Sequence, residues 1–190
     1  MGRAAKLKTI PKPALRLDLG CGPHPREGFE GVDVRPFDGK ALHVLDLRQT
    51  PWPWADGSVA EAHSSHFLEH LTGRERVDFM NELWRVLVPD GQCQIIVPHW
   101  ASNRAYGDYT HQWPPVSEMW FYYLNATWRK ENAPHNDAYT CHFEATWGYV
   151  MRPDLLVRNQ EYQQYALQNF KEAAQDLIAT ITKKPMPKGL

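Results

Sequence analysis

Hydrophobic positions in the first half of the chain come in short runs, at residues 15–19, 31–34, 41–45, 59–64 and 92–97, separated by glycine, proline and acidic residues. Runs this short, bounded by turn-forming residues, predict strands. Between the last two the spacing changes: Val77, Met80, Leu83, Trp84 and Leu87 recur at three- and four-residue steps. That predicts an amphipathic helix opened by the capping box Thr72-x-x-Glu75 and stopped by Pro89-Asp-Gly91. Leu167, Phe170, Ala174, Leu177 and Ile181 keep the same period and predict a second helix over 165–181, covering the sheet. Alternation over 143–151 predicts one more strand. Residues 153–158 suit either a short strand or, through Arg152-Pro153-Asp154, a helix start, which leaves the strand count open. Strands alternating with helices point to an α/β, doubly wound and mostly parallel sheet.

The 190-residue length fits one domain, taken as 14–182, between a loose basic lead at 1–13 and a frayed tail at 183–190. A net charge of −1 and an isoelectric point near 6.7 provide no global attraction for nucleic acid or anionic lipid. No apolar run reaches bilayer-spanning length and the start has no signal-peptide core, so a cytoplasmic protein without a membrane partner is expected. The three cysteines are widely spaced with no Cys-x-x-Cys pair, which suits a reducing compartment.

Candidate chemistry begins at the end of the first strand with Asp18, Gly20 and Gly22, where ligands of open parallel sheets bind. A dinucleotide fingerprint needs a third glycine where Pro25 stands. Pro23-His24-Pro25 also removes two N–H donors and biases His24 away from helical angles, spoiling a helix N-terminus that could hold pyrophosphate. A dehydrogenase is therefore the weakest reading. S-adenosylmethionine carries no phosphate and needs no such cradle. Asp33, ending the second strand, can accept both ribose hydroxyls; Asp46, ending the third, can accept from the adenine amino group while the Leu47 N–H donates to the ring.

Leu-Asp-Leu-Gly-Cys-Gly, Gly-Val-Asp-Val, Asp46-Leu47, Ser-His-Phe-Leu-Glu-His-Leu and Leu-Val-Pro-Asp-Gly, in that order over residues 15–98, resemble the motifs of class I S-adenosylmethionine-dependent methyltransferases, type 11-like. The resemblance implies a Rossmann-like sheet of about seven strands with one reversed, helices on both faces, and Asp18, Gly20, Cys21, Gly22, Asp33 and Asp46 around the cofactor. Two departures stand out. His24 replaces a third glycine, and so little chain separates Asp18 from Asp33 that the first helix is a turn or two at most. Arg26 is the candidate partner for the methionine carboxylate.

His66-Phe-Leu-Glu69-His70 also matches the His-x-x-Glu-His pattern of inverted zinc proteases. Its place after a strand of a doubly wound sheet argues against metal, and no metal is expected. Glu69 and His70 then brace the sheet edge, while His66 points toward the methyl group. Candidate bases are His66, His99 and His111, with Asp108 to orient a ring or act itself. Gly107-Asp-Tyr-Thr-His111 with His99-Trp100 resembles a substrate-side segment in some small-molecule methyltransferases of this class. More than half of the aromatic residues fall between Trp100 and Met151, so a lid over 99–142 is expected, built from residues such as Trp100, Tyr106, Tyr109, Trp113, Trp120, Tyr122 and Tyr123. Trp52-Pro-Trp54 suits either an adenine cover or surface packing.

The expected activity is methyl transfer to an oxygen or nitrogen of a small-molecule or sugar-like acceptor. Nucleic-acid methylation is the rival. Against it, Ser64-Ser65-His66-Phe67 stands where enzymes acting on exocyclic base nitrogens have Asn/Asp-Pro-Pro-aromatic, and no Pro-Cys nucleophile occurs. A regulatory protein that binds the cofactor without turnover is the third reading. The sequence does not set the oligomeric state.

Overall fold

The computed structural model describes residues 14–189; the basic lead at 1–13 lies outside the described residues. Seven strands form one sheet: β1 (Leu15–Leu19), β2 (Glu30–Asp33), β3 (His43–Val44), β4 (Val59–Ser65), β5 (Leu87–Pro98), β6 (Phe143–Met151) and β7 (Ala174–Lys183). Their order is β3-β2-β1-β4-β5-β7-β6. β1 to β5 pair in parallel, whereas β7 runs antiparallel to both β5 and β6. The architecture is therefore the expected Rossmann-like one with a single reversed strand.

Helix α1 (Gly73–Val86) follows β4 and carries the expected capping box: Thr72 Oγ1 accepts from the Glu75 N–H and Glu75 Oε2 accepts from the Thr72 N–H. Its inner face buries Phe79, Met80, Leu83 and Val86 against the sheet. Thr72→Ala is expected to lower stability by about 1 kcal/mol, the usual value of such a cap, read from a thermal melt.

The predicted helix over 165–181 is the main correction. The chain forms a short α4 (Pro153–Leu156), then α5 (Gln160–Asn169), and residues from Ala174 onward are β7. The apolar set satisfies both periods, but Ile178, Thr180, Ile181 and Thr182 are β-branched and alternate about the strand. Leu177, Ala179 and Ile181 are buried on one face, in register with Val97, Ile95 and Cys93 of β5. Pairing with an open sheet edge outweighed a weak helical preference. Nor is 183–184 a frayed tail: Lys183 ends β7, and Lys184 Nζ pairs with Asp90 Oδ1 at 2.9 Å.

Residues 99–142 form α2 (Glu118–Tyr122), α3 (Ala126–Asn132) and loops that pack on α1. Asn81 bridges to the Ala138 carbonyl and the Thr140 N–H, and Trp84 Nε1 donates to the His142 and Lys184 carbonyls. Buried Arg129 gathers the carbonyls of Tyr123, Tyr139 and Cys141. No helix of the described residues is long and apolar enough to cross a membrane.

Candidate functional site

Where β1 ends, the chain turns back on itself. Gly20, at φ +75°, and Cys21 both donate their N–H to the Val32 carbonyl, and the Gly22 N–H donates to Asp33 Oδ2 at 3.0 Å. The turn is thus stitched to β2. Among the described residues no helix of any length follows it before β2. The bundle of free N–H groups that would hold a pyrophosphate is missing here, as Pro23 and Pro25 predict.

A cleft of about 230 Å³ opens at the carboxyl ends of these strands, lined by Gly20, Asp33, Asp46, Leu47, Phe67 and His70. Asp33 receives one N–H on each oxygen, from Gly22 and Arg35. An ionised carboxylate offers about four lone-pair sites, so two remain for a vicinal diol. Asp46 is gripped by Arg48 through Nε and Nη2, both at 2.9 Å, and this hydrogen bonding holds its carboxyl below the usual range. Leu47 is buried, and its carbonyl accepts from Trp52 Nε1. Trp52 in turn gives its N–H to Glu82 and is itself buried, so it anchors this loop from within and does not cover a ligand.

Other residues of the expected set serve the turn. Asp18 is buried, with Oδ2 accepting the Arg26 N–H and Oδ1 meeting His63 Nδ1, both at 2.7 Å. It holds the turn's shape and is not among the residues that line the cleft. Arg26 is a correction: its guanidinium bonds Gln94 Oε1 at 2.7 Å and lies over the Phe29 ring, outside the cleft lining. Cys21 is half-buried, its thiol donates to the Gly22 carbonyl, and burial with nearby Asp18 and Asp33 pushes its pKa up to about 11.

His70 also lines a second, wider cleft of about 660 Å³, with His66, Glu69, Arg104, Asp108 and His111. His66 leaves β4 in the left-handed region, at φ +53°, and a single tight turn at Leu68–His70 follows. Its Nδ1 meets Glu69 Oε1 at 3.2 Å, which raises the His66 pKa. The loop carrying Asp108 and His111 is docked by the Gln112 N–H on the Glu69 carbonyl. Buried Arg76 of α1 reinforces the contact, donating to the carbonyls of Leu68, Gln112 and Pro114. Arg104 Nη1 donates to both carboxylate oxygens of buried Asp176 at the start of β7.

His99 does not reach this cleft. It is buried, its Nδ1 accepts the Ala101 N–H, and Nε2 faces Glu118 Oε1 at 3.1 Å. It locks α2 to the end of β5 and is withdrawn from the candidate bases. The aromatic set divides similarly. Trp100, Tyr106, Tyr109, Trp113 and Tyr122 are exposed, whereas Trp120 and Tyr123 pack against the core beside Phe121.

Arg104, Asp176 and the clamp Arg76 are not among the residues that the sequence singles out. Asp176 was hidden by the helix expected over 165–181; the run of β-branched residues just after it was the signal available. Nothing local in the helix sequence marks Arg76 as buried.

No family model matches the chain, and no curated protein matches it. Solved structures do. A S-adenosylmethionine-dependent methyltransferase from Archaeoglobus fulgidus is 19% identical, with 90% of this chain and 87% of that one covered at a TM-score of 0.64. The Burkholderia thailandensis 1,6-didemethyltoxoflavin-N1-methyltransferase, with its substrate and S-adenosylhomocysteine bound, is 15% identical over 92% and 72%, TM-score 0.54. The 4+2 cyclase SpnF is 17% identical over 91% and 75%, TM-score 0.52. That a cyclase stands among them shows that this fold does not by itself name a reaction. What the chain shares with these proteins is their fold, the seven-stranded sheet with one reversed strand on which S-adenosylmethionine-dependent methyltransferases are built.

Proposed function

We propose that this chain is a S-adenosylmethionine-dependent methyltransferase of the type 11-like class, acting on an oxygen or nitrogen of a small-molecule or sugar-like acceptor. The observation that carries the reading is one cleft holding Asp33, Asp46 and side-chain-free Gly20, at a turn that no helix follows. Carboxylates for a diol and an adenine edge are there, while a phosphate cradle is not. When bound, S-adenosylmethionine supplies a methyl group already activated for transfer. Asp33 holds the ribose hydroxyls, Asp46 and the Leu47 N–H take the adenine edge, and the Gly20 to Gly22 turn lets the backbone approach the methionine portion. The wider cleft receives the acceptor, aligned for in-line attack and shielded from bulk water by the 99–142 segment. His66, on that cleft and held by Glu69, takes the acceptor proton, with Asp108 and His111 lining the same cleft.

Calorimetry with S-adenosylmethionine, with NAD as competitor, tests the cofactor. Binding that NAD does not displace is expected. Asp33→Ala is expected to weaken it roughly 10- to 150-fold, the value of one or two hydrogen bonds to a charged group. Absence of binding, or an unchanged affinity in a folded Asp33→Ala protein, would sink the assignment. Mass spectrometry of small molecules gaining one methyl unit then identifies the acceptor.

A further inference from the structure

Glu69 is only 4% exposed, and its Oε2 has no hydrogen-bond partner among the described residues. An ionised oxygen buried without a partner is strongly unfavourable, and such groups are normally paired or bound to a cation. Beside it, the rings of His70 and His111 meet edge to face at 4.8 Å between centroids. One donor atom each from Glu69, His70 and His111 lies within 4.8 Å of the other two.

The hydrogen bonds around the two rings determine which nitrogens carry protons. The Thr110 hydroxyl donates its only proton to Asp108 Oδ1 at 2.7 Å, so at 2.9 Å from His70 Nδ1 it can only accept. His111 Nδ1 faces the Ala105 carbonyl at 3.2 Å and must donate to it. The neutral form of each ring therefore holds its proton on Nδ1 and leaves Nε2 as the ligating nitrogen. Metal-ligating histidines are oriented in this way, the second nitrogen donating to a carbonyl or, through a relay, to a carboxylate. The Asp108 to Thr110 to His70 chain and the Ala105 carbonyl are those supports.

We propose that Glu69, His70 and His111 bind one divalent transition-metal ion of the zinc class, on the wall of the wider cleft. Two imidazoles and a carboxylate are a ligand set that suits such an ion, and three protein ligands leave a coordination position open. Ligand atoms of a tetrahedral zinc site lie roughly 3.3 Å apart, given bonds of about 2.0–2.1 Å, so binding draws the three side chains together by about an ångström. The ion neutralises Glu69 and satisfies Oε2, while Oε1 keeps its contact with His66. This is not the His66 and His70 pair that the His-x-x-Glu-His spacing suggested: His66 is outside the cluster, and its Nδ1 is taken by Glu69 Oε1. The open position faces the cleft that adjoins the cofactor cleft at His70, where the ion would bind an acceptor through a readily deprotonated oxygen. That role rests on the methyl-transfer reading; the metal site does not.

The test uses tag-free full-length protein, stripped with chelator and titrated with zinc by calorimetry, then with cobalt to read the coordination by visible absorption. One ion per chain is expected, with an intense cobalt spectrum of low coordination number. His111→Ala and His70→Ala are each expected to weaken zinc binding more than 100-fold. Thr110→Val, which removes only the oriented hydroxyl, should weaken it 10- to 100-fold, and His24→Ala on the surface should change nothing. The cobalt spectrum of the native chain decides the matter even if a variant misfolds. A weak spectrum like that of the hydrated ion, or zinc affinity unchanged in folded His111→Ala, would overturn the site. S-adenosylmethionine calorimetry on the same stripped protein separates failure of this site from failure of the methyltransferase reading.

Discussion

Replacing Arg76 by alanine is expected to destabilise the protein by about 2–4 kcal/mol and to loosen the wider cleft. Arg76 is 2% exposed and donates to three carbonyls, those of Leu68, Gln112 and Pro114, on two segments that the Gln112 N–H to the Glu69 carbonyl also joins. Its burial has a desolvation cost, visible as a guanidinium pKa pushed below the ordinary value. Three charge-assisted hydrogen bonds outweigh that cost, and removing the side chain takes their charged donor from three carbonyls at once and empties a buried position. For a chain of this size, the loss corresponds to roughly 5–15 °C in melting temperature. Arg76→Lys should recover only part of it, because one ammonium cannot reproduce a planar fork aimed at separate carbonyls. Arg74→Ala is the comparison: its pair with Asp78 is exposed, with the arginine side chain 71% accessible, so a change within about 0.5 kcal/mol is expected. Equal melting temperatures for the two alanine variants would mean that Arg76 is not the clamp.

Gly20→Ala is expected to be nearly as disruptive, at about 2–4 kcal/mol. Two effects add. At φ +75° an L side chain is strained, and a Cβ placed there would lie 2.5 Å from Phe67 Cγ and Cδ2 and 2.8 Å from its Cβ. Phe67 cannot swing clear by moving its ring alone, since its own Cβ is among the atoms struck. Gly22→Ala separates the two effects, because Gly22 has φ +55° but nothing within 4 Å of a built Cβ. It should show the backbone strain alone, about 1–2 kcal/mol. Gly20 also lines the cofactor cleft, so its alanine variant should lose S-adenosylmethionine affinity beyond what Gly22→Ala loses. Similar melting curves for the two variants would contradict the packing argument.

The comparison of these glycines shows how the motif was legible and where legibility ended. That Gly20 and Gly22 share a tight turn follows from the sequence. That one is locked by Phe67, from beyond β4, while the other faces open space depends on how β1 and β4 pair. Asp18 and Arg26 teach the same lesson. Both are correctly placed near the turn by the sequence, yet Asp18 is occupied by His63 and the Arg26 N–H, and Arg26 by Gln94 across the sheet.

The order of short apolar runs, the capping box at Thr72 and the proline-flanked turn after Gly22 determined the α/β architecture and the absence of a phosphate cradle. Each is a local property, set by periodicity, backbone angles and missing N–H donors within a few residues. The reversed strand β7 was not local: its residues fit a helix equally well until β5 and β6 presented edges to pair with. The same holds for the cluster of Glu69, His70 and His111, whose members lie on two segments held together by Arg76 and the Gln112 N–H. Which nitrogen of each neutral histidine is left to ligate, and that Glu69 keeps an unpaired oxygen, are consequences of burial and long-range hydrogen bonds, and these exist only once the chain has folded.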